Sequence, residues 1–418
     1  METILVGIDV SRDRVQVAVT DTAGQARYGH GRFPNTAPGA ASLVAALTTW
    51  IPAGRTGVRL GLEATGVYAG HLALFLSQAP ALTPYAATVS RLQPRTVHRY
   101  IAAFASRRSK TDPEDAWHIA AVLGQPAWLP HPFQITERTV ALQRLTRHRR
   151  HLVQTLARMN NDGASYLFWQ ARGLARDPPG TDPWGASATG VLTRYATSED
   201  IAAAPLDDWV RDLGHDAHGR LADPAAVARA IQRAARDSYR LPTVLKDPVH
   251  QILSGTVQDI RYLTQQIHAV DQRIAREPAV TTTRWQTVPG IGPVFAAGLL
   301  AEIGAIGAFP SDDPRAQFAG LTWPAAQSGQ LTREDRPLAR TGNAYLRYYL
   351  VEAANSVRRN EPRYGAYYAK KLAESTQFAH RRALVLTARK LTRLVFALLR
   401  DDRAYNPEHP LALPHRSA

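Results

Sequence analysis

A carboxylate sits inside the first apolar run of this chain. Ile4-Leu5-Val6-Gly7-Ile8-Asp9-Val10 has the composition of a buried strand, and Asp9 interrupts it. A charge in a central strand is costly unless a cation or a hydrogen-bond donor meets it. The strand is therefore expected to run into a polar site. Ser11-Arg12-Asp13 reads as a turn. Val15, Val17 and Val19 then alternate with Gln16, Ala18 and Thr20, the pattern of a half-buried second strand. Asp21 to Gly24 turn again, and Ala26 to Phe33 form a third strand. A helix over Ala40 to Trp50 follows. Val58 to Glu63 is a fourth strand that ends on an acid, ahead of Ala64-Thr65-Gly66. A helix over Tyr68 to Leu76 and a strand near Tyr85 to Val89 complete the alternation.

Lys110-Thr111-Asp112-Pro113-Glu114-Asp115-Ala116 reads as the mouth of the next helix. Asp112 suits a cap, Pro113 the first helical position, and acids the positive helix end. Ala116, Ile119, Ala120, Val122 and Leu123 continue a helical pattern that Gly124 stops. Asp112 and Asp115 are three apart and point off one face of the first turn. One reading is that both acids serve only the helix dipole. The other is a divalent metal, because two close carboxylates suit a hard cation better than each other. With Asp9 on the first strand and Glu63 ending the fourth, the quartet resembles that of the ribonuclease H-like nucleases, most closely the RuvC-type resolvases. That resemblance implies a mixed sheet with helices, and four acids holding two Mg²⁺ for in-line phosphoryl displacement. Arg91, Arg95, Arg99, Arg107, Arg108 and Lys110 precede the helix as a basic loop suited to a phosphate backbone.

The chain of 418 residues carries a formal charge of +15, so nucleic acid is the default partner. Only five residues are lysine, so arginine supplies most of the positive charge. The net charge is +4 over 1–130, +3 over 131–280 and +8 over 281–418. Zero cysteines exclude disulfides and thiolate metal sites and fit a reducing cytoplasm. No run approaches the roughly 18 apolar residues of a membrane span, and the N-terminus does not read as a signal peptide.

From Gln134 to Met159, Leu142, Leu145, Leu152, Leu156 and Met159 fall at heptad spacing, with Arg149 at one seam position. Arg147, Arg149 and Arg150 belong to the densest basic patch of the chain. Leu253, Val257, Ile260, Leu263, Ile267, Val270 and Ile274 offer a second stripe. Two such helices pair antiparallel or across subunits as a coiled coil, or serve as ordinary bundle helices. Gln170 to Ser187 reads as a loop, and 198–240 as short helices.

Val288-Pro289-Gly290-Ile291-Gly292-Pro293 precedes a helix over Val294 to Ile303. It resembles a helix-hairpin-helix, in which Gly290 and Gly292 let backbone amides face phosphate, and it equally fits a tight turn. Ser328 is followed by Arg333, Arg336, Arg340, Asn343 and Arg347. A serine among guanidiniums reads as a phosphate contact or a turn residue. The same cations suit phosphoryl transfer by lowering the cost of an alkoxide. A helix over Tyr345 to Ser356 follows, and residues after Tyr405 read as loose. The expected domains are 1–130, 131–280, 281–405 and a tail over 406–418.

In order along the chain, Gly7-Ile8-Asp9-Val10-Ser11, Glu63-Ala64-Thr65-Gly66, Lys110-Thr111-Asp112 with Asp115-Ala116, Pro289-Gly290-Ile291-Gly292, Gln327-Ser328-Gly329 and Arg340-Thr341-Gly342-Asn343 with Leu346-Arg347 resemble the insertion-sequence-110 family of transposases. Arg340 stands where that family more often has lysine. The resemblance implies an α/β plus all-α protein: a RuvC-like domain, a helical coiled-coil middle and a helical C-terminal transposase domain. It implies a recombinase in which Asp9, Glu63, Asp112 and Asp115 bind Mg²⁺ and Ser328 forms a phosphoserine link to DNA. It further implies donor and target DNA, a bridge RNA and a tetramer as partners, in the cytoplasm at the nucleoid. Two rival readings are a metal-dependent nuclease without serine chemistry and a non-catalytic nucleic-acid-binding protein.

Overall fold

The structure is a computed structural model of the full chain. It describes all residues except 1–2, 23, 25, 53, 55–56, 64–66, 93, 105–111, 126–135, 177–183, 217–220, 304–315, 317, 323–326, 329–330, 333–337, 339–341 and 409–418. Side chains at 95, 96, 99, 104, 112, 113, 186–188, 191, 216, 327, 328, 331 and 332 also lie outside the description. The chain divides into two compact units, one formed by Met1–Thr146 with Ala275–Ala418 and the other by Arg147–Ile274.

The first unit is built on a five-stranded sheet in the order β3-β2-β1-β4-β5. Its strands are β1 (Ile4–Val10), β2 (Arg14–Asp21), β3 (Arg27–Pro34), β4 (Arg59–Glu63) and β5 (Thr88–Leu92). The pairs β1–β2 and β2–β3 are antiparallel, whereas β1–β4 and β4–β5 are parallel. Helix α1 (Ala37–Trp50) is capped by the Thr36 hydroxyl, which accepts from the Gly39 amide. Helices α2 (Ala69–Gln78), α3 (Pro94–Phe104) and α4 (Asp112–Gly124) follow.

Alternation along β1 sorts the core. Ile4, Val6, Ile8 and Val10 are buried with Leu43, Leu47, Leu72 and Leu76 of α1 and α2. Leu5 is buried on the opposite face with Ile119, Ala120, Val122 and Leu123 of α4. Period-two side chains thus give both faces of one strand a helical cover.

In the first unit, two stretches around the sheet differ from the sequence expectation. The fifth strand begins at Thr88, because Pro80 and Pro84 hold Pro80–Tyr85 in a 3-10 turn that closes on Ala86 in the left-handed region. The basic stretch before α4 is partly helical: Pro94 starts α3, and Val97, Tyr100 and Ile101 bring one side of it onto the α4 core.

The C-terminal part of this unit contains α12 (Pro278–Thr281), α13 (Pro293–Ile303), the strand pair β6 (Gln327–Ser328) and β7 (Leu331–Thr332), α14 (Ala344–Asn360), α15 (Pro362–Ala373) and α16 (Ala379–Asp401). Gly298 of α13 lies under the Tyr349 ring of α14, where a Cβ would come within 2.2 Å. The Tyr349 hydroxyl, fully buried, donates to the Thr146 carbonyl at 2.7 Å.

The second unit contains parts of two long helices, α5 (Glu137–Gln170) and α11 (Thr243–Ala275). Arg149 binds Asp271 across them, and farther along α5 a Cβ on Gly163 would lie 3.1 Å from the Thr256 methyl. Going forward on α5 therefore goes backward on α11, an antiparallel pair. Among the described residues the unit also contains the shorter helices α6 (Arg172–Arg176), α7 (Ala186–Arg194), α8 (Ser198–Ala203), α9 (Leu206–Asp216) and α10 (Pro224–Arg236). The stretch read as a loop over Gln170 to Ser187 includes α6, which Gly173 seats against the Ala234 carbonyl. Among the described residues no helix is long and apolar enough to cross a membrane.

Candidate active site

Small residues seat α4 on the sheet. Gly7 of β1 pairs with Ala18 and with Gly61, and Gly61 pairs with Ser90. A Cβ on Gly7 would stand 2.0 Å from the Ala116 carbonyl oxygen and 2.4 Å from the Ala120 amide nitrogen. A Cβ on Gly61 would press the Leu123 side chain at 2.8 Å. Only glycine admits helix backbone this close.

Two residues beyond Gly7 and Gly61, on the same face, stand Asp9 and Glu63. The last paired residues before them, Ile8 and Leu62, are partners in register, so the two acids lie side by side on adjacent parallel strands. Such strands are about 5 Å apart. Asp9 is also opposite Gln16 of β2. Both acids are half-buried.

Helix α4 runs against β1. Leu5 lies by Gly124, and Gly7 by Ala120 and Ala116. Two strand residues rise about 6.6 Å and four helical residues about 6 Å. The same stride carries Gly7 to Asp9 and Ala116 to Asp112, the first residue of α4. Asp115, in that turn, is half-buried. The face carrying Asp9 and Glu63 thus meets the helix end where Asp112 and Asp115 begin. Among the described residues no three acidic or histidine side chains form a group able to hold a metal ion. The Asp112 side chain lies outside that description. Oxygen-only donors at the ends of adjacent strands and at a helix start remain a donor set of the kind Mg²⁺ takes.

The turn before α13 uses its glycines differently. Gly290 has φ +96, and a Cβ there would lie 2.8 Å from the Val357 backbone of α14. It packs the turn against α14. Gly292 has no neighbour within 4 Å of a Cβ, and its carbonyl accepts from the Ala296 amide at the start of α13.

Asn343 caps α14. Its Oδ1 accepts from the Tyr345 and Leu346 amides, and its Nδ2 donates to Glu302 Oε2 at 2.7 Å. Arg347 donates to the Ala319 carbonyl. Glu302, 1% exposed, also accepts from Gln143 Nε2 at 3.4 Å, and Gln143 Oε1 accepts from Arg91 of β5 at 3.5 Å. This polar chain joins the sheet to the segment that precedes α14, and sequence pattern alone gave no sign of it. The distant Glu302 and Gln143 carry no shared motif.

Ser328 ends β6, and its backbone pairs with Leu331. The Ser328 side chain and Arg107, Arg108, Lys110, Arg333, Arg336 and Arg340 lie outside the described residues. In the second unit Arg149 is held by both oxygens of Asp271, so its charge is matched within the protein. Arg147 and Arg150 are half-buried.

Two family models match the chain. One, a transposase of the DEDD type found in IS110, covers residues 6–167, and one described as the IS116/IS110/IS902 transposase family covers residues 283–369. Together they span more than half of the sequence. The uncharacterized 44.8 kDa protein of insertion element IS116 from Streptomyces clavuligerus is 28% identical over 76% of this chain and 77% of its own length. The uncharacterized 42 kDa protein of IS900 from Mycobacterium paratuberculosis is 26% identical over 97% of this chain and 98% of its own. The uncharacterized 43.6 kDa protein of IS110 from Streptomyces coelicolor is 24% identical over 93% and 95%. With a carboxylate-bearing sheet in one matched stretch and the Ser328 hairpin in the other, the chain belongs to the IS110 family of insertion-sequence transposases.

Proposed function

We propose that this transposase cuts and rejoins DNA through a phosphoserine intermediate at Ser328, beside Mg²⁺ held by Asp9, Glu63, Asp112 and Asp115. The observation that carries the reading is the placement of Asp9 and Glu63 side by side, on the sheet face where α4 begins. Bound Mg²⁺ would supply charge stabilisation at the scissile phosphate. The Ser328 hydroxyl bonds to phosphorus and gives its proton to solvent. One phosphoester bond breaks, and the released DNA hydroxyl takes up a proton. A second DNA hydroxyl then loses its proton and attacks the phosphoserine, the Ser328–phosphorus bond breaks and Ser328 takes up a proton, so the ester is exchanged rather than hydrolysed. Arg333, Arg336, Arg340 and Arg347 offset charge at phosphorus. Arg107, Arg108 and Lys110 before α4, Arg147 and Arg150 on α5, and the Gly292 backbone hold phosphates. A bridge RNA selects donor and target by base pairing, and a tetramer brings the serine of one copy to the acids of another.

The test is trapping of protein–DNA adducts with Mg²⁺, DNA and the bridge RNA. Wild-type protein forms adducts that map to Ser328, and Ser328→Ala forms none while still binding DNA. Adducts on Ser328→Ala, or cleavage unchanged by that substitution, would overturn the serine chemistry and favour a metal-dependent nuclease.

A further inference from the structure

The second unit exposes large aromatic side chains at the end of α5 and just after α10. Phe168 is 54% exposed and Trp169 58% exposed in the last turn of α5, and Tyr239, just after α10, is 75% exposed. Isolated surface aromatics are unremarkable. Two of these rings share a cation: the Arg172 guanidinium carbon lies 5.7 Å from the centroid of the Phe168 ring and 5.7 Å from that of Tyr239. Both are within cation–π range.

The scaffold beneath is firm. Gln170, fully buried, donates to the Tyr195 carbonyl at 2.7 Å and pins the end of α5. Gly173 approaches Ala234 so closely that a Cβ would come within 1.9 Å of its carbonyl oxygen. The Gly173 amide donates to the Ser238 hydroxyl at 2.9 Å, which fixes the residue before Tyr239. Arg172, Arg176, Arg236 and Arg240 are exposed on the same elements, against one exposed acid at the end of α10, Asp237.

We propose that Phe168, Arg172 and Tyr239, with Trp169 beside them, form a stacking platform for unpaired bases of DNA. Exposed rings interleaved with guanidinium offer π-faces to bases and positive charge to the backbone. Duplex bases are already stacked on each other and present only their edges, so the surface selects single strands. DNA is the assigned strand because the family acts on DNA, and the inference rests on that part of the functional reading. The surface suits a strand melted during cutting and rejoining.

The test uses full-length protein with fluorescein-labelled oligo(dT), a duplex of matched length, and oligo(U). Phe168→Ala and Tyr239→Ala should each weaken oligo(dT) binding about 10-fold, the scale of one lost base–aromatic stack, with little change for duplex. A 2-aminopurine base in the oligonucleotide should be quenched by wild type and less so by either variant. Arg172→Ala should lower affinity more than Arg172→Lys, which keeps the charge. Unchanged oligo(dT) affinity and unchanged quenching overturn the platform. Preference for oligo(U) overturns the assignment to DNA. A shift to smaller species in sedimentation, with oligo(dT) binding intact, assigns the rings to contact between copies and also overturns it. Loss of Ser328-dependent adducts in wild type would sink the serine chemistry while leaving the oligo(dT) result standing, so the two failures are separable.

Discussion

The Glu302 carboxylate accepts a hydrogen bond from the Asn343 side-chain amide at 2.7 Å, with Glu302 almost wholly removed from water. The same asparagine caps α14, so one residue ties a helix start to a buried acid. Glu302→Ala leaves donors of Asn343 and Gln143 without this acceptor. Urea unfolding should show a loss of about 1–3 kcal/mol. In a double-mutant cycle with Asn343→Ala the coupling should exceed about 0.5 kcal/mol. Additive losses would show that the pair contributes nothing jointly.

Gly7→Ala should lift α4 from the sheet. The new methyl would meet the Ala116 and Ala120 backbone, which has no rotamer to yield. Overpacking of this kind costs about 1–3 kcal/mol or more. The unfolding midpoint should fall and DNA cleavage with it, because α4 carries Asp112 and Asp115. A variant with unchanged stability would contradict the close seat described for α4.

Stability should decline in alkali through Tyr364. Burial pushes its phenol above the ordinary 10.0, with the neighbouring Tyr405 and Glu361 acting in the same direction. Above about pH 10 the unfolded chain sheds this proton while the folded chain retains it, so stability falls as pH rises. Below that pH both states hold the proton and the group is silent. Tyr364→Phe removes the contribution, and circular dichroism from pH 9 upward should show a shallower decline. An unaltered slope would assign the alkaline loss to other groups.

Asp9→Asn should abolish Mg²⁺-dependent cleavage and leave the fold intact. In metal-free buffer it should be as stable as wild type or slightly more so, since one of a set of neighbouring like charges is gone. Added Mg²⁺ should raise the wild-type melting temperature by binding the folded state, and raise the Asp9→Asn value less. Equal shifts in both proteins would place the ion elsewhere.

The sheet was legible because its signals are local. Valines at 15, 17 and 19 alternate, Asp9 breaks an apolar run, and Asp112 with Gly124 brackets a helix whose observed limits coincide with those residues. The fifth strand slipped because the 3-10 turn over Pro80–Tyr85 uses residues whose apolar content resembles a strand. Gly290 carried two compatible meanings, and the structure supports packing: its positive φ and the nearby Val357 backbone are tertiary facts. Arg149 read as part of a basic patch, whereas its partner Asp271 is distant in sequence. Likewise the stacked Arg172 draws one ring from α5 and one from beyond α10, a pairing no spacing rule exposes.

Whether the acids of β1, β4 and α4 share one cation site is tested most directly by anomalous diffraction from crystals grown with Mn²⁺. The predicted result is density between Asp9, Glu63 and the first turn of α4, lost in Asp9→Asn crystals. Mn²⁺ bound only at other surfaces, with Asp9 and Glu63 bare in the wild-type crystals, would contradict it.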